Sequence, residues 1–169
     1  HTRDRRQRQM CIRDRTDIDM RNYKRLKMFV HAEGEENNLE SGDFSCFIRL
    51  GTDFTSNYYE YELELKPTLF GETNDENIWP SENEIDIAFE IFQETKQERN
   101  ANNADVFLPY HKYVNNAKIT VIGNPNLSQV KTLMIGIRNP KKESIDDNDD
   151  GLPKSVSYTH LRAHETIDD

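Results

Sequence analysis

From Asn57 to Lys66 the chain alternates without a break, with Tyr59, Tyr61, Leu63 and Leu65 on one side and Glu60, Glu62 and Glu64 on the other. A side-chain period of two belongs to an extended strand. Such a strand buries its apolar side against a second layer, and a lone hairpin has too little area to do so. The remainder of the chain therefore has to supply more strands. Pro67 ends the segment, because proline brings no N–H to a ladder.

More strands follow from the same period. Leu26, Met28 and Val30 share one face of a strand over Lys24 to His31, and Phe44, Cys46, Ile48 and Leu50 point inward from another. Lys118 to Ile122 runs into the turn-rich Gly123-Asn124-Pro125-Asn126, and Val130 to Arg138 carries Leu133, Ile135 and Ile137 on one side before Asn139-Pro140 closes it. The acidic stretches Glu33 to Gly42 and Glu143 to Gly151 read as loops. Once, the period changes: Ile85, Ala88, Phe89 and Phe92 stand at i, i+3, i+4 and i+7. With Ser81 and Glu84 as a capping box, this predicts a helix from Ser81 to just before Asn100. The expected fold is mainly β: an antiparallel β-sandwich or jelly-roll-like domain with one helical insertion. Its expected core is Leu26, Met28, Val30, Phe44, Ile48, Tyr61, Leu63, Phe89, Phe92, Leu133, Ile135 and Ile137.

The two ends read differently. Gln9-Met10-Cys11-Ile12-Arg13-Asp14 written as CAG ATG TGT ATA AGA GAC has the reverse complement GTC TCT TAT ACA CAT CTG, which encodes Val156-Ser157-Tyr158-Thr159-His160-Leu161. Antisense copies at opposite ends are what a sequencing adapter joined to both ends of a DNA fragment produces. Residues 1–15 and 155–169 are accordingly expected to be adapter-derived and to pack no apolar face, and residues 16–154 to be a β-rich domain truncated at its C-terminus.

Setting the ends aside removes seven basic and five acidic residues and takes the formal charge from -9 to about -11. A surface this acidic repels phosphates, which argues against nucleic acid and anionic lipid as partners. The length suits about one domain. No apolar run approaches the roughly eighteen residues of a spanning helix. Once Cys11 is assigned to an adapter, Cys46 is alone, and a single strand cysteine reads as a small core residue.

Few residues offer chemistry. Glu60, Glu62 and Glu64 are spaced as glycosidase carboxylates could be, yet alternating charges on a strand read first as a solubilising outer face. Asp146-Asp147-Asn148-Asp149-Asp150-Gly151 matches the front of a calcium loop, with its closing carboxylate position at Ser157 inside the adapter; Pro153 speaks against it, and a solvated turn is the preferred reading. His31 and His111 lack ligand-spaced partners and read as surface or loop residues. Tyr59 and Tyr61 belong with the leucines, which leaves Tyr58 as an exposed ring suited to stacking on a sugar. Asn126-Leu127-Ser128 fits a glycosylation sequon. No catalytic, cofactor-binding or metal-ligating residue is assigned, and no cofactor is expected.

Longer words carry a family resemblance. Tyr23 to Glu33 (YKRLKMFVHAE), Ile48 to Phe54 (IRLGTDF) with Asn57 to Glu62 (NYYEYE), Ile78-Trp79-Pro80 with Asn83-Glu84, and Gly123 to Ser128 (GNPNLS) running on through Lys131 to Pro140 (KTLMIGIRNP) resemble successive blocks of the SprA family. These are very large outer-membrane proteins of Bacteroidetes, needed for gliding motility and acting as the translocon of type IX secretion. The blocks occur in order across nearly all of residues 16–154.

The resemblance implies transport rather than catalysis. The expectation is a non-enzymatic, soluble portion of a giant outer-membrane β-barrel, placed at the cell surface. Its partners would be other parts of the same barrel chain, secretion-system proteins and cargo in transit, with no nucleic acid and no transmembrane helix. The alternative is a carbohydrate-binding or adhesion β-sandwich module, and a glycoside hydrolase fragment is a further rival.

Overall fold

The computed structural model describes residues 7–34, 41–138, 156–157 and 161–164, with side chains over 18–33 and 41–138. Strands β1 (Gln7–Ile18), β2 (Arg25–Val30), β3 (Glu33–Gly34), β4 (Ser45–Gly51) and β5 (Tyr58–Glu64) come first. A single-turn helix α1 (Asp75–Ile78), strand β6 (Glu84–Ala88) and the main helix α2 (Glu90–Ala101) follow. The hairpin β7 (Tyr110–Val114) and β8 (Ala117–Ile122) leads to β9 (Val130–Arg138), β10 (Val156–Ser157) and β11 (Leu161–His164). The fold is mainly β, as expected.

Six strands make one antiparallel sheet in the order β1-β9-β4-β5-β8-β7, and three make a second in the order β11-β2-β6. One core joins them. Cys46, Ile48, Leu50, Tyr59, Leu63, Ile119, Val121 and Ile137 enter from the large sheet, Met28, Val30, Ile85 and Ile87 from the small one, and Phe89 and Phe92 from the α2 end. Every residue expected in the core belongs to this cluster or packs on it, with Leu26, Tyr61, Leu133 and Ile135 partly buried at its margin. Phe92 sits at the centre, its ring 5.2 Å from Tyr59 and 6.4 Å from Phe89.

The helix starts later than its spacing predicts. Ser81–Asn83 is a 3-10 turn, Glu84–Ala88 is strand β6, and α2 begins only at Glu90. Ile85, Ala88, Phe89 and Phe92 do satisfy a helical period, but Ile85 and Ile87 also alternate with Glu84 and Asp86. Pairing with β2 decides between the two. It sets Ile85 and Ile87 opposite Met28 and Leu26 on the core side, and brings Asp86 to Arg25 at 2.8 Å on the other. The capping box does not form, since Ser81 Oγ lies against Glu82 and Phe89 precedes α2 with no side-chain cap.

The described parts of the ends, residues 7–15, 156–157 and 161–164, are extended, but they are not detached. β1 pairs with β9, β10 with β3 and β11 with β2. An open sheet edge offers unpaired N–H and C=O groups to any extended segment, so this pairing requires no selected side chains. The side chains of residues 7–17 and 156–164 lie outside the described set, as does the whole of Asp146 to Gly151.

Candidate functional site

The second face of the large sheet overturns the reading of the glutamate row. Glu60 and Glu62 are only 3% and 7% exposed, and Glu64 alone faces water. The sheet register explains why. It lines up Met134, Arg49, Glu60, Thr120 and His111 in one cross-strand row and Gly136, Phe47, Glu62, Lys118 and Tyr113 in the next. Opposite charges therefore meet directly across strands, where pairing is strongest.

Arg49 donates from Nε and Nη2 to Glu60 Oε2 at 2.8 and 2.5 Å, and from Nη1 to the Phe54 carbonyl at 2.6 Å. Arg138 reaches both carboxylates: Nη2 lies 3.1 Å from Glu60 Oε1, and Nη1 contacts Glu62. Lys118 Nζ stands 2.5 Å from Glu62 Oε2, and Ser45 Oγ donates to Glu62 Oε1 at 2.6 Å. Aromatic rings make the floor. The Arg49 guanidinium lies 3.9 Å from the Tyr58 ring centroid, and that of Arg138 4.7 Å from Phe47. Tyr58 is thus covered by Arg49 instead of open to a sugar, and β4 is buried on both faces because Ser45 and Phe47 lie under the cluster. Arg49, Lys118 and Arg138 were not singled out in the sequence. Their signal was parity, since each stands out of phase with the apolar residues of its own strand.

This geometry suits cohesion. Burial alone would raise the Glu62 carboxyl, but hydrogen bonds from Lys118 and Ser45 and the charge of Arg138 outweigh it and hold the group below the usual carboxylate range. A glycosidase needs one carboxyl kept protonated by its surroundings, and Glu62 is pushed the other way. Register is what the cluster enforces: a one-residue slip of β5 would carry Glu60 and Glu62 into the apolar core and turn Tyr59 and Leu63 outward.

A second polar knot lies where two of the sequence words meet. Asp53 Oδ1 accepts the N–H groups of Thr55, Ser56 and Asn57 at 2.9, 2.6 and 3.1 Å, while Oδ2 accepts Asn57 Nδ2. Burial opposes ionisation of Asp53, and the hydrogen bonds from Ser56, Asn57 and Thr55 prevail and lower its pKa far below the usual value. Asn57 Oδ1 in turn accepts the Asn124 N–H. From α2, buried Arg99 donates to the Gly123 carbonyl at 2.6 Å and Lys96 to the Pro125 carbonyl, which also accepts the Tyr59 hydroxyl. Gly123 has φ +68°, and a Cβ there would overlap the Ser56 carbonyl oxygen. Gly123→Ala is expected to cost about 1 to 3 kcal/mol, read as a lower urea midpoint; an unchanged midpoint would show that the loop can shift freely.

The other candidates hold no site together. Cys46 is buried, and burial pushes its thiol up to about 12. His31 lies in the loop between β2 and β3, in keeping with its reading as a surface or loop residue, and is half-buried with its ring 5.6 Å from that of Trp79. His111 is exposed, with Nδ1 2.9 Å from Thr120 Oγ1. Asn126 uses Oδ1 to accept the Ser128 N–H. Among the described residues, no group of three or more His, Cys, Asp or Glu side chains is placed to hold a metal.

Acid should loosen this structure. Glu62 and Asp53 have folded pKa values below their ordinary 4.5 and 3.8. The stability they contribute is complete above those ordinary values and drains away as pH falls through the lowered ones. His111, exposed at its edge but with part of its ring shielded against Thr120, is lowered by that partial desolvation and by Lys118, and acts in the same direction from its ordinary 6.5 downward. Urea midpoints are expected to be flat between about pH 7 and 8 and to fall steadily below pH 4.5. A midpoint that rises on acidification would contradict the paired state of these carboxylates.

Sheets, shared core and internally paired charges together define a mainly β structural domain. The chain belongs to the SprA_N family, described as motility related/secretion protein, which matches residues 6–159. It is thus a motility- and secretion-related protein. No match was found among curated proteins.

Proposed function

We propose that this chain is a non-catalytic, water-exposed portion of an outer-membrane secretion translocon of the type IX, gliding-motility kind. Membership of the SprA_N family carries the reading. A second observation supports the water-exposed part. In a barrel wall, the apolar side of β5 would face lipid, whereas here Tyr59, Leu63 and their neighbours are consumed by a core that the chain builds with β2, β6 and Phe92. Among the described residues no helix is long and apolar enough to cross a membrane, which leaves barrel strands elsewhere in a larger protein open. The carbohydrate-binding reading loses its residues, since Tyr59 is in the core and Tyr58 lies beneath Arg49.

Barrels of this membrane put long insertions outside the cell. The domain's place is therefore the extracellular side, near the barrel mouth. In-frame deletion of this segment from the intact gene, scored together for secretion, gliding and glycan adhesion, tests the role. Loss of secretion and gliding is expected; loss of adhesion alone would favour the carbohydrate module. A protease site placed within residues 35–40 tests the side, with cleavage expected in whole cells and cleavage only after permeabilisation placing the domain in the periplasm.

A further inference from the structure

The large sheet ends at β7, which among the described residues pairs with β8 alone. Asn115 and Asn116 form a two-residue hairpin loop, so Val114 and Ala117 close the ladder and Lys112 and Tyr110 bond toward β8. The N–H and C=O groups of His111 and Tyr113 are then directed away from the sheet. Beside this edge the surface is unusually apolar: Phe107 is 82% exposed, Tyr113 73% and Leu108 61%.

The core side of the same edge is bounded by α2. Glu90, Glu94 and Glu98 stand four residues apart along one line of the helix. Lys112 is the cation they meet, its Nζ 3.0 Å from Glu98 and 4.0 Å from Glu94, and the two carboxylate side chains remain about half exposed. A strand laid against β7 would thus meet carboxylates on one face and the Tyr113 ring on the other. We propose that the β7 edge is an acceptor for an extended segment of a partner polypeptide whose side chains alternate between basic and apolar. Backbone groups of His111 and Tyr113 supply the ladder, and the acidic row with the exposed ring selects the side chains. A second copy of this chain is a poor occupant. Antiparallel pairing of two β7 edges would set both α2 helices on one side of the joined sheet and bring their glutamate rows face to face.

The full 169-residue chain can be titrated into a fluorescein-labelled peptide of about seven residues alternating Lys with Val and Tyr. Two further peptides serve as controls, one with Glu in place of Lys and one with a central proline. Fluorescence anisotropy gives affinity, and amide hydrogen exchange gives location. The expected result is saturable binding of the basic peptide with slowed exchange at His111 and Tyr113, and neither control binding comparably. Joint Glu94→Gln and Glu98→Gln substitution should weaken binding about tenfold. Tyr113→Pro, which removes an outward N–H, should abolish it while the far-UV spectrum shows the fold retained. The proposal is overturned by equal binding of either control peptide, by no saturable binding of the basic one, or by slowed exchange elsewhere than β7. Concentration-dependent dimers that protect the same amides without peptide would overturn it too, and would make a second copy the occupant.

Discussion

Glu60→Gln is expected to destabilise the fold by about 3 to 5 kcal/mol, although the two side chains have nearly the same shape. The carboxylate is 3% exposed and answers two guanidinium groups, those of Arg49 and Arg138. Without it, Arg49, Arg138 and Lys118 share the single remaining charge of Glu62 in a site largely closed to water. Removing the charges in pairs should hurt far less. Glu60→Leu combined with Arg49→Met is expected to approach the parent, because well-packed apolar residues often replace a buried ion pair without loss. Urea midpoints at constant m-value measure both. A Glu60→Gln effect as small as the roughly 0.5 kcal/mol of an ordinary surface change would mean that the glutamate row is a wet face after all.

Phe92→Ala should cost about 3 to 5 kcal/mol as well, for an unrelated reason. Phe92 is fully buried and touches the large sheet through Tyr59 and the turn before α2 through Phe89. Truncation opens a cavity where helix and sheet interlock. Relaxation there is limited, because Arg99 and Lys96 tie the far part of α2 to the Gly123 to Pro125 loop. A loss below about 1 kcal/mol would place the ring at a margin able to collapse around it.

Much of the fold was legible because burial leaves a period. β2, β4, β5, β8 and β9 each announced themselves by alternation, and the residues read as core either belong to the core or pack on its margin. Illegible features were those that depend on partners distant in the chain. Glu84 to Phe92 satisfies two periods at once, and only the presence of β2 makes its first half a strand. The hairpin of β7 and β8 was missed at its first strand, since Tyr110 to Val114 is a half-exposed edge with a weak pattern and its turn is made by Asn115 at φ 54° instead of glycine. For the glutamate row the error was one of environment. Alternation told correctly which side Glu60 and Glu62 take, but not that Arg49, Lys118 and Arg138 would line the same side and close it. The sequence words GTDF and GNPN became explicable only in space, where Asp53, Asn57 and Gly123 knot two loops at one end of the sheet.

Both faces of β5 are satisfied within this chain, and on the proposed water-exposed role the domain should need no lipid to fold. Equilibrium urea unfolding of the chain in detergent-free buffer, followed by far-UV circular dichroism and Trp79 fluorescence together, tests it most directly. One cooperative transition, coincident in both signals and unmoved by added micelles, is the predicted result. A chain that stays unstructured or aggregates in buffer and gains its strands only in micelles would contradict it.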